Sequence, residues 1–232
     1  LSVILVYNQL KLFVKADHGF DMSNSIVVHL GDTKPHELKT ELLQHANILN
    51  VSAASHLPAS GTTYGNGFKK SLDEKEWTDL NYFSVDEDYL ENINARLIEG
   101  RYFTKEAGES NANFVVINEE ALKALHYDTP HDAIGQVVIY QRDSSRKEII
   151  GVVKNYNHQI LMAKISPMAL MYSPGEINLL QVKFTGDYQS AAETIEKSWA
   201  KVNPLLKVDH KIFEEEIRGF YKLVFGDIVN VV

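Results

Sequence analysis

The pattern of apolar positions at 25–54 is that of a strand, a helix and a second strand. A β-branched run at 25–30 is typical of a short strand. Leu38, Leu42 and Ala46 then recur at helical spacing. The short apolar run that follows predicts the second strand. This segment is therefore predicted to form a β-α-β unit.

The same order of elements is predicted for 180–208. The alternation of apolar and polar residues at 180–184 is typical of a half-buried strand. A helical apolar face that includes Ile195 and Trp199 follows, and the apolar positions at 206–208 mark a returning strand. The chain therefore contains two β-α-β units with dissimilar sequences.

The section between the two units is richer in strand patterns. The apolar runs that predict strands lie at 80–85, 114–117, 137–140 and 149–153. The residues 86–98 are predicted to form a helix that ends at Gly100. The stretch 58–67, rich in glycine, serine and threonine, is predicted to be a mobile surface loop. We therefore predict an α+β fold of two lobes, in which a β-rich lobe is inserted between the β-α-β units.

Both ends of the chain combine helical periodicity with an apolar terminus. Leu5 and Leu12 lie on one predicted helix face near the N-terminal end. The corresponding face near the C-terminal end consists of Phe213, Ile217, Phe220, Tyr221 and Val224. One interpretation is that both ends are stubs of membrane helices with the folded domain between them. The other is that both ends pack on the core of the domain.

Composition and charge narrow the classes of function. The chain of 232 residues has 23 Lys and Arg against 31 Asp and Glu, a net charge of −8. Because neutralisation of phosphates needs clustered cations, nucleic acid is not predicted as a partner. Cysteine is absent, which excludes disulfides, thiolate catalysis and cysteine-based metal sites.

The sequence contains no recognisable catalytic or metal-binding motif. The glycine-rich stretch lacks the Lys-Ser or Lys-Thr of a phosphate loop, and the nine histidines do not show metal-ligand spacing. Trp77 is a candidate for stacking on a ligand, although a structural role before a strand is the simpler interpretation. We therefore expect no catalytic residue, no bound cofactor and no metal in this domain.

Several short strings occur in an order that is found in one family. The strings are G-F-D at 19–21, G-R-Y-F at 100–103, V-I-N-E at 116–119, A-I-G-Q at 133–136 and I-G-V-V-K-N-Y at 150–156. His158 and Pro167 follow at matching places. Together the strings resemble the periplasmic core domain of MacB/FtsX-like ABC transporter permeases, in the version found in Bacteroidetes-type bacteria. Asn155 departs from the pattern, since an aspartate is common there.

The resemblance implies a division of the chain into lobes and stalks. In the family, a Porter lobe made of β-α-β halves is interrupted by a β-rich Sabre lobe. The implied segments are a stalk helix at the end of the first transmembrane helix (1–20), a Porter-like lobe (21–95 and 155–212), an inserted Sabre-like lobe (96–154) and a stalk helix towards the second transmembrane helix (213–232).

The resemblance also implies a function in transport. The domain would lie on the periplasmic side of the bacterial inner membrane and couple cytoplasmic ATP hydrolysis mechanically to export, or to lipoprotein or peptide transport, without catalysis of its own. ATP would bind at a separate nucleotide-binding domain or subunit. The implied partners are this ABC ATPase, a second permease copy, and a periplasmic adaptor, peptide or lipoprotein. The alternative is an extracytoplasmic ligand-sensing domain of a membrane receptor or kinase.

Two sets of residues are candidates for these roles. Leu5, Leu12 and the apolar C-terminal face defined above would couple the stalks to the folded body. The loop 58–67 would contact a partner, because binding residues concentrate on loops held by a rigid scaffold. The contact residues predicted in this loop are Thr62, Thr63, Tyr64 and Asn66.

Overall fold

The computed structural model describes residues 17–160 and 163–229, with side chains up to Val224. Within these ranges the chain has eleven strands and six α-helices, and the predicted α+β class is confirmed. The strands are β1 (Ser25–His29), β2 (Ile48–Ala54), β3 (Tyr64–Lys69), β4 (Thr78–Val85), β5 (Leu97–Gly100), β6 (Phe114–Asn118), β7 (Val137–Tyr140), β8 (Arg146–Val153), β9 (Met168–Tyr172), β10 (Leu179–Phe184) and β11 (Asp209–Ile212). The helices are α1 (Pro35–Leu42), α2 (Tyr89–Asn92), α3 (Glu119–Ala124), α4 (Pro130–Ala133), α5 (Tyr188–Val202) and α6 (Phe213–Val229).

The chain divides into two compact units. The first includes Met22–Val51 and Leu180–Val232, and the second consists of Gly19–Asp21 and Ser52–Leu179. The predicted lobes have other limits, with the insertion at 96–154. Their assignment as Porter-like and Sabre-like lobes stays a prediction.

The first unit is built from the two predicted β-α-β segments, and their strands interleave. The strand order is β11-β1-β10-β2, so that β1 lies between the two strands of the second segment. The helices α1 and α5 pack side by side. Just after α1, His45 Nε2 lies 3.2 Å from Ser198 Oγ, and the side-chain amide of Asn47 donates to Thr194 Oγ1 at 3.0 Å. The strands of the two segments thus alternate within one sheet.

The returning strand of the second segment lies at Asp209–Ile212, a few residues after the predicted 206–208. Leu205 and Leu206 are instead exposed. The indole N–H of Trp199 donates to the Leu206 carbonyl at 2.7 Å. This bond holds the turn after α5 against the helix, so the chain extends only beyond it.

The second unit contains a closed barrel of six strands. Their order is β4-β3-β7-β8-β6-β9, and β9 pairs in parallel with β4 to close the ring. Closure pairs the first and the last of these six strands, although individual strands still extend beyond their neighbours. The core of the barrel includes Phe68, Leu80, Val115, Val138, Ile149 and Val152.

The predicted helix at 86–98 is wrong. Only Tyr89–Asn92 is helical, and β5 follows, paired with β8. Asn94 has a φ of 52°, the left-handed conformation that commonly follows a helix end. The N–H of Ala95 bonds the carbonyl of Leu90 at 2.9 Å, a pattern that closes the helix after one turn.

The predicted loop at 58–67 is wrong at its C-terminal end, where β3 begins. Tyr64 pairs with Tyr82 and Phe68 with Thr78 in an antiparallel ladder between β3 and β4. Phe68 is buried in the barrel. Its burial and the cross-strand pairs outweigh the low strand propensity of the intervening Gly-Asn-Gly.

Asn118, in the V-I-N-E string, joins three elements of the barrel. It is buried, and its side-chain oxygen accepts bonds of 2.9 Å from the N–H groups of Ala121 and Met168. Its side-chain amide donates to the Ser166 carbonyl at 2.9 Å. One side chain therefore ends β6, caps α3 and holds the start of β9.

Asn155 bonds both glutamates at the start of α3. Its backbone N–H donates to Glu119 Oε2 at 2.7 Å, and its side-chain amide donates to Glu120 Oε1 at 3.0 Å. Its side-chain oxygen accepts from the Glu120 N–H at 3.3 Å. An ionised aspartate could not donate to Glu120 and would place a third carboxylate there. Asparagine at 155 therefore fits these hydrogen bonds better than the aspartate of the family pattern would.

Glycines in two other strings allow β5 and β8 to approach each other closely. A Cβ atom at Gly151 would lie closer than 3.0 Å to the carbonyl oxygen of Arg101. A Cβ atom at Gly100, whose φ is +82°, would be equally close to the carbonyl oxygen of Ile150. Glycine is therefore needed at 100 and at 151 because the backbone of the facing segment leaves no room for a side chain.

Candidate functional site

Helix α6 carries the C-terminal residues assigned to stalk coupling. Phe213, Ile217 and Tyr221 are buried, and α6 packs against β1 and β11. Phe220 is half-buried, with its ring centroid 5.3 Å from that of Tyr221. Val224 is 41% exposed. Tyr221 is therefore the last buried residue of α6 among those whose side chains the structure describes.

An ionic cluster fastens the start of α6 to two strands. Nε2 of His29 on β1 lies 3.2 Å from Oε1 of Glu216, and Nζ of Lys211 on β11 lies 3.2 Å from Oε2. The hydrogen bond to Glu216 raises the pKa of His29, although burial opposes it. The same bond lowers the pKa of Glu216. The cluster therefore favours the charged forms of both partners.

Leu5 and Leu12, the N-terminal part of the coupling prediction, lie outside the residues that the structure describes. At the other end, α6 continues to Val229, and Leu223 is 79% exposed. None of the described helices is both long enough and apolar enough to cross a bilayer. The coupling role of both sets of residues stays a prediction.

Three of the four predicted partner-contact residues lie at the start of β3 or just before it. Thr62 is exposed and Thr63 is half-buried. Tyr64 is 39% exposed, and its ring centroid lies 4.1 Å from that of His56 and 5.3 Å from that of Tyr82. The Tyr64 side chain is therefore partly exposed, and its ring packs against two other aromatic rings. The role of these residues in partner contact stays a prediction.

A pocket of about 510 Å³ lies beside these residues, and the fourth of them, Asn66, lines it. The other polar or glycine residues that line it are Gly65, Gly67, Asp79, Asn81, Gln141 and Ser166. They come from β3, from β4 and from the segments after β7 and before β9. Asp79 is the one charged residue among the lining residues that the structure describes. The pocket is thus a polar site with a single carboxylate.

Two glycines form part of the pocket floor. A Cβ atom at Gly65 would have nothing within 4 Å, whereas one at Gly67 would lie closer than 3.0 Å to the side chains of Gln141 and Trp77. Glycine is therefore required at 67 by packing, and glycine at 65 leaves the pocket open.

The pocket has unused hydrogen-bonding capacity. The Asp79 side chain is exposed and makes no hydrogen bond or salt bridge with the described residues. The side-chain oxygen of Asn66 also lacks a partner in the same part of the chain, but it is buried, and Asn66 shares its strand face with Phe68 of the barrel core. The exposed Asp79 carboxylate is therefore the acceptor that a ligand can reach, which favours a ligand that carries N–H groups or positive charge.

Trp77, the candidate stacking residue, lies at the edge of this site. Nζ of Lys69 stands 4.4 Å from its ring centroid. The ring therefore already has a cationic partner from the protein itself. Stacking of Trp77 on a ligand stays a prediction.

A buried histidine supports two residues of the pocket. Nε2 of His158 lies 3.2 Å from Ser166 Oγ and 3.5 Å from Asn81 Nδ2. The Asn81 amide also donates to Ser166 Oγ at 2.6 Å. Burial lowers the pKa of His158 to about 4. The imidazole is therefore neutral near pH 7, and it positions the polar wall as a hydrogen-bond partner.

Sequence reasoning missed most of this pocket. Asp79, Gln141 and Ser166 belong to different strands or connections, and no local pattern joins them. The available signal was the Gly-Asn-Gly at 65–67, two glycines at strand spacing. For metals, the described residues contain no group of three or more potential ligands.

Solved structures with similar folds include three from bacteria. The periplasmic region of MacB from Actinobacillus actinomycetemcomitans is 14% identical, with a TM-score of 0.65 over 90% of this chain and 98% of that one. The extracellular domain of the noncanonic ABC-type transporter YknZ from Gram-positive bacteria is 15% identical, with a TM-score of 0.56 over 78% and 94%. A domain from Porphyromonas gingivalis, assigned to a permease protein, is 11% identical, with a TM-score of 0.57 over 82% and 90%.

No curated protein sequence matches the chain significantly. The family model described as the MacB-like periplasmic core domain matches residues 1–202. The predicted resemblance is thereby confirmed over most of the chain. The chain belongs to the MacB-like periplasmic core domains, the parts of ABC transporter-type permeases that lie outside the cytoplasm.

Proposed function

We propose that this domain couples cytoplasmic ATP hydrolysis mechanically to the handling of a substrate or partner outside the bacterial inner membrane. Movement of the membrane helices would enter the folded body through α6. ATP would be bound and hydrolysed by a separate ATPase domain or subunit, and this domain would carry no catalysis and no cofactor. A second permease copy, and a periplasmic adaptor, peptide or lipoprotein, would be its partners.

The observation that carries this proposal is the attachment of α6 to the first unit. The buried side chains of Phe213, Ile217 and Tyr221 and the ion pair of His29 with Glu216 hold the first half of the helix. The helix is continuous from Phe213 to Val229. A continuous helix is stiff, so a displacement at its far end would reach β1 and β11 instead of being absorbed.

Family membership supports the same function, because MacB-like domains belong to ABC transporters, which work with ATPase subunits. Neither the family nor the similar structures favour the alternative of a ligand-sensing receptor domain.

Spin labels in the full transporter test the proposal. Lys197 in the first unit and Asp128 in the second are exposed, and the 232 residues contain no cysteine, so K197C and D128C give two specific labels in this domain. We expect the distance distribution between the labels to shift when ATP and vanadate are added. A Gly-Ser-Gly insertion after Tyr221 interrupts α6, and we expect it to abolish the shift while ATP hydrolysis continues.

The matched control is the same insertion between Asp143 and Ser144, in the exposed turn between β7 and β8. This insertion should leave the shift intact. A distribution that ignores nucleotide, or a shift that survives the insertion in α6, would contradict the proposed coupling.

A further inference from the structure

The strand β3 extends past the end of its neighbour β7. The two strands pair only at Phe68 with Tyr140 and at Lys69 with Ile139. The N–H of Gln141 then donates to the Gly67 carbonyl at 2.9 Å, after which the chain turns towards β8. Among the described residues, the N-terminal half of β3 is therefore paired on the β4 side alone.

The alternation of backbone groups shows which groups this leaves free. Because the Gly67 carbonyl points towards β7, the N–H and C=O of Gly65, two residues earlier, point the same way. They have no backbone partner among the described residues. Gly65 is exposed, and a Cβ atom there would meet nothing within 4 Å. An open segment of strand edge thus borders the pocket.

We propose that this edge binds an extended peptide segment by strand addition, with a lysine or arginine side chain of the segment lying in the pocket. The backbone of the segment would bond the free N–H and C=O of Gly65. Its side chain would cross Gly65 unobstructed, because a Cβ atom there would meet nothing within 4 Å, and the side chains of Gln141 and Trp77 at Gly67 would border it. This assignment deepens the proposed function by naming the kind of partner segment, and it rests on that function only for the source of the segment.

The charge of the pocket selects a basic side chain. The exposed Asp79 carboxylate makes no bond with the described residues and supplies the one charge of the lining. An acidic side chain would meet repulsion from Asp79, and an apolar one would leave its carboxylate unpaired.

The test uses the 232-residue chain and two blocked pentapeptides, acetyl-Thr-Val-Lys-Val-Thr-amide and its counterpart with glutamine in place of lysine. We expect the lysine peptide to shift the amide resonances of Gly65 and Gly67 saturably, with a dissociation constant of about 1 mM or below. At low salt it should bind about tenfold more tightly than the glutamine peptide, and added salt should remove this preference.

The substitution Asp79→Asn should abolish the preference for lysine, whereas Asp128→Asn, an exposed carboxylate outside the pocket, should keep it. The salt titration of the unaltered chain measures the same charge without relying on the fold of a variant. Equal binding of the two peptides, no shift at Gly65 and Gly67, or equal behaviour of the two variants would overturn the proposal. Peptide binding needs neither ATP nor membrane helices. The peptide test can therefore succeed when the spin-label test fails, and it can fail when the spin-label test succeeds.

Discussion

The imidazole Nε2 of His29, at the end of β1, lies 3.2 Å from Oε1 of Glu216 in the first turn of α6. These residues are 187 positions apart in the sequence, so the contact exists only in the folded first unit. The helix is thereby attached at its start by charge and along its next turns by apolar packing. The two kinds of attachment respond to different conditions.

The charged attachment should depend on pH. The hydrogen bond to Glu216 raises the pKa of His29 above 6.5, so its contribution is complete below pH 6.5 and is lost as pH rises through the raised value. Because 38% of the His29 side chain is exposed, we expect the free energy of unfolding to fall by only about 0.5 kcal/mol over this range. Urea titrations on both sides of that range measure it.

Two substitutions define the source of this pH dependence. Glu216→Gln should remove this pH dependence, because it removes the carboxylate whose hydrogen bond raises the pKa of His29. His36→Gln changes an exposed histidine elsewhere in the same unit and should leave it in place. An unaltered pH dependence in Glu216→Gln would show that His29 and Glu216 are not coupled.

The buried His158 should give a pH dependence of the opposite sign. Its pKa is lowered from 6.5 to about 4 by burial, so the folded state favours the neutral imidazole. Stability should therefore fall as pH drops below 6.5, by up to about 3 kcal/mol once pH reaches the lowered value. The free energy of unfolding of His158→Gln should fall less over this range, and that of exposed His131→Gln should match the unaltered chain. Identical slopes in all three proteins would contradict this assignment.

The apolar attachment of α6 should dominate its stability. Ile217 is fully buried, and truncation to alanine should cost about 3 kcal/mol in the free energy of unfolding. Leu223, 79% exposed on the same helix, provides the matched control, and Leu223→Ala should change stability by less than about 0.5 kcal/mol. Urea denaturation compares the two, and similar losses would mean that the helix is not held by this stripe.

Asn118 should be among the least replaceable polar residues of the barrel. Alanine there leaves two N–H groups and one carbonyl of the junction without their partner, with an expected loss of about 3 kcal/mol. The exposed Asn113 is the comparison, and Asn113→Ala should be nearly neutral. The measurement is the midpoint of thermal unfolding of both variants. Equal midpoints would show that Asn118 does not stabilise this junction.

Periodicity predicted the elements whose conformation and burial depend on near neighbours. The stripe of Phe213, Ile217 and Tyr221 was visible because one helix face carries it, and these residues are buried. Val224 continues the same spacing but is 41% exposed, because burial depends on what packs against the helix at each turn and not on spacing alone. The predicted helix at 86–98 was wrong because Asn94, in a left-handed conformation, closed it after one turn.

The pocket could not be predicted in the same way. Gly65, Asp79, Gln141 and Ser166 meet there because β4 pairs with both β3 and β9 in a closed barrel. Strand register over such sequence separations depends on the packing of the whole unit, and no local pattern records it. That Asp79 makes no bond with the part of the chain that the structure describes is likewise a property of the folded surface.

The sequence by itself determined the α+β class, the two β-α-β segments and the family, because hydrophobic spacing, turn residues and short ordered strings are local properties of the chain. Only the tertiary structure decided how the segments interleave, how the barrel closes and which carboxylates find partners. Glu216 is paired, whereas Asp79 makes no bond within residues 17–160 and 163–229, although both are ordinary acidic residues in the sequence. Their difference arises from the distance to a cation, and only folding sets that distance.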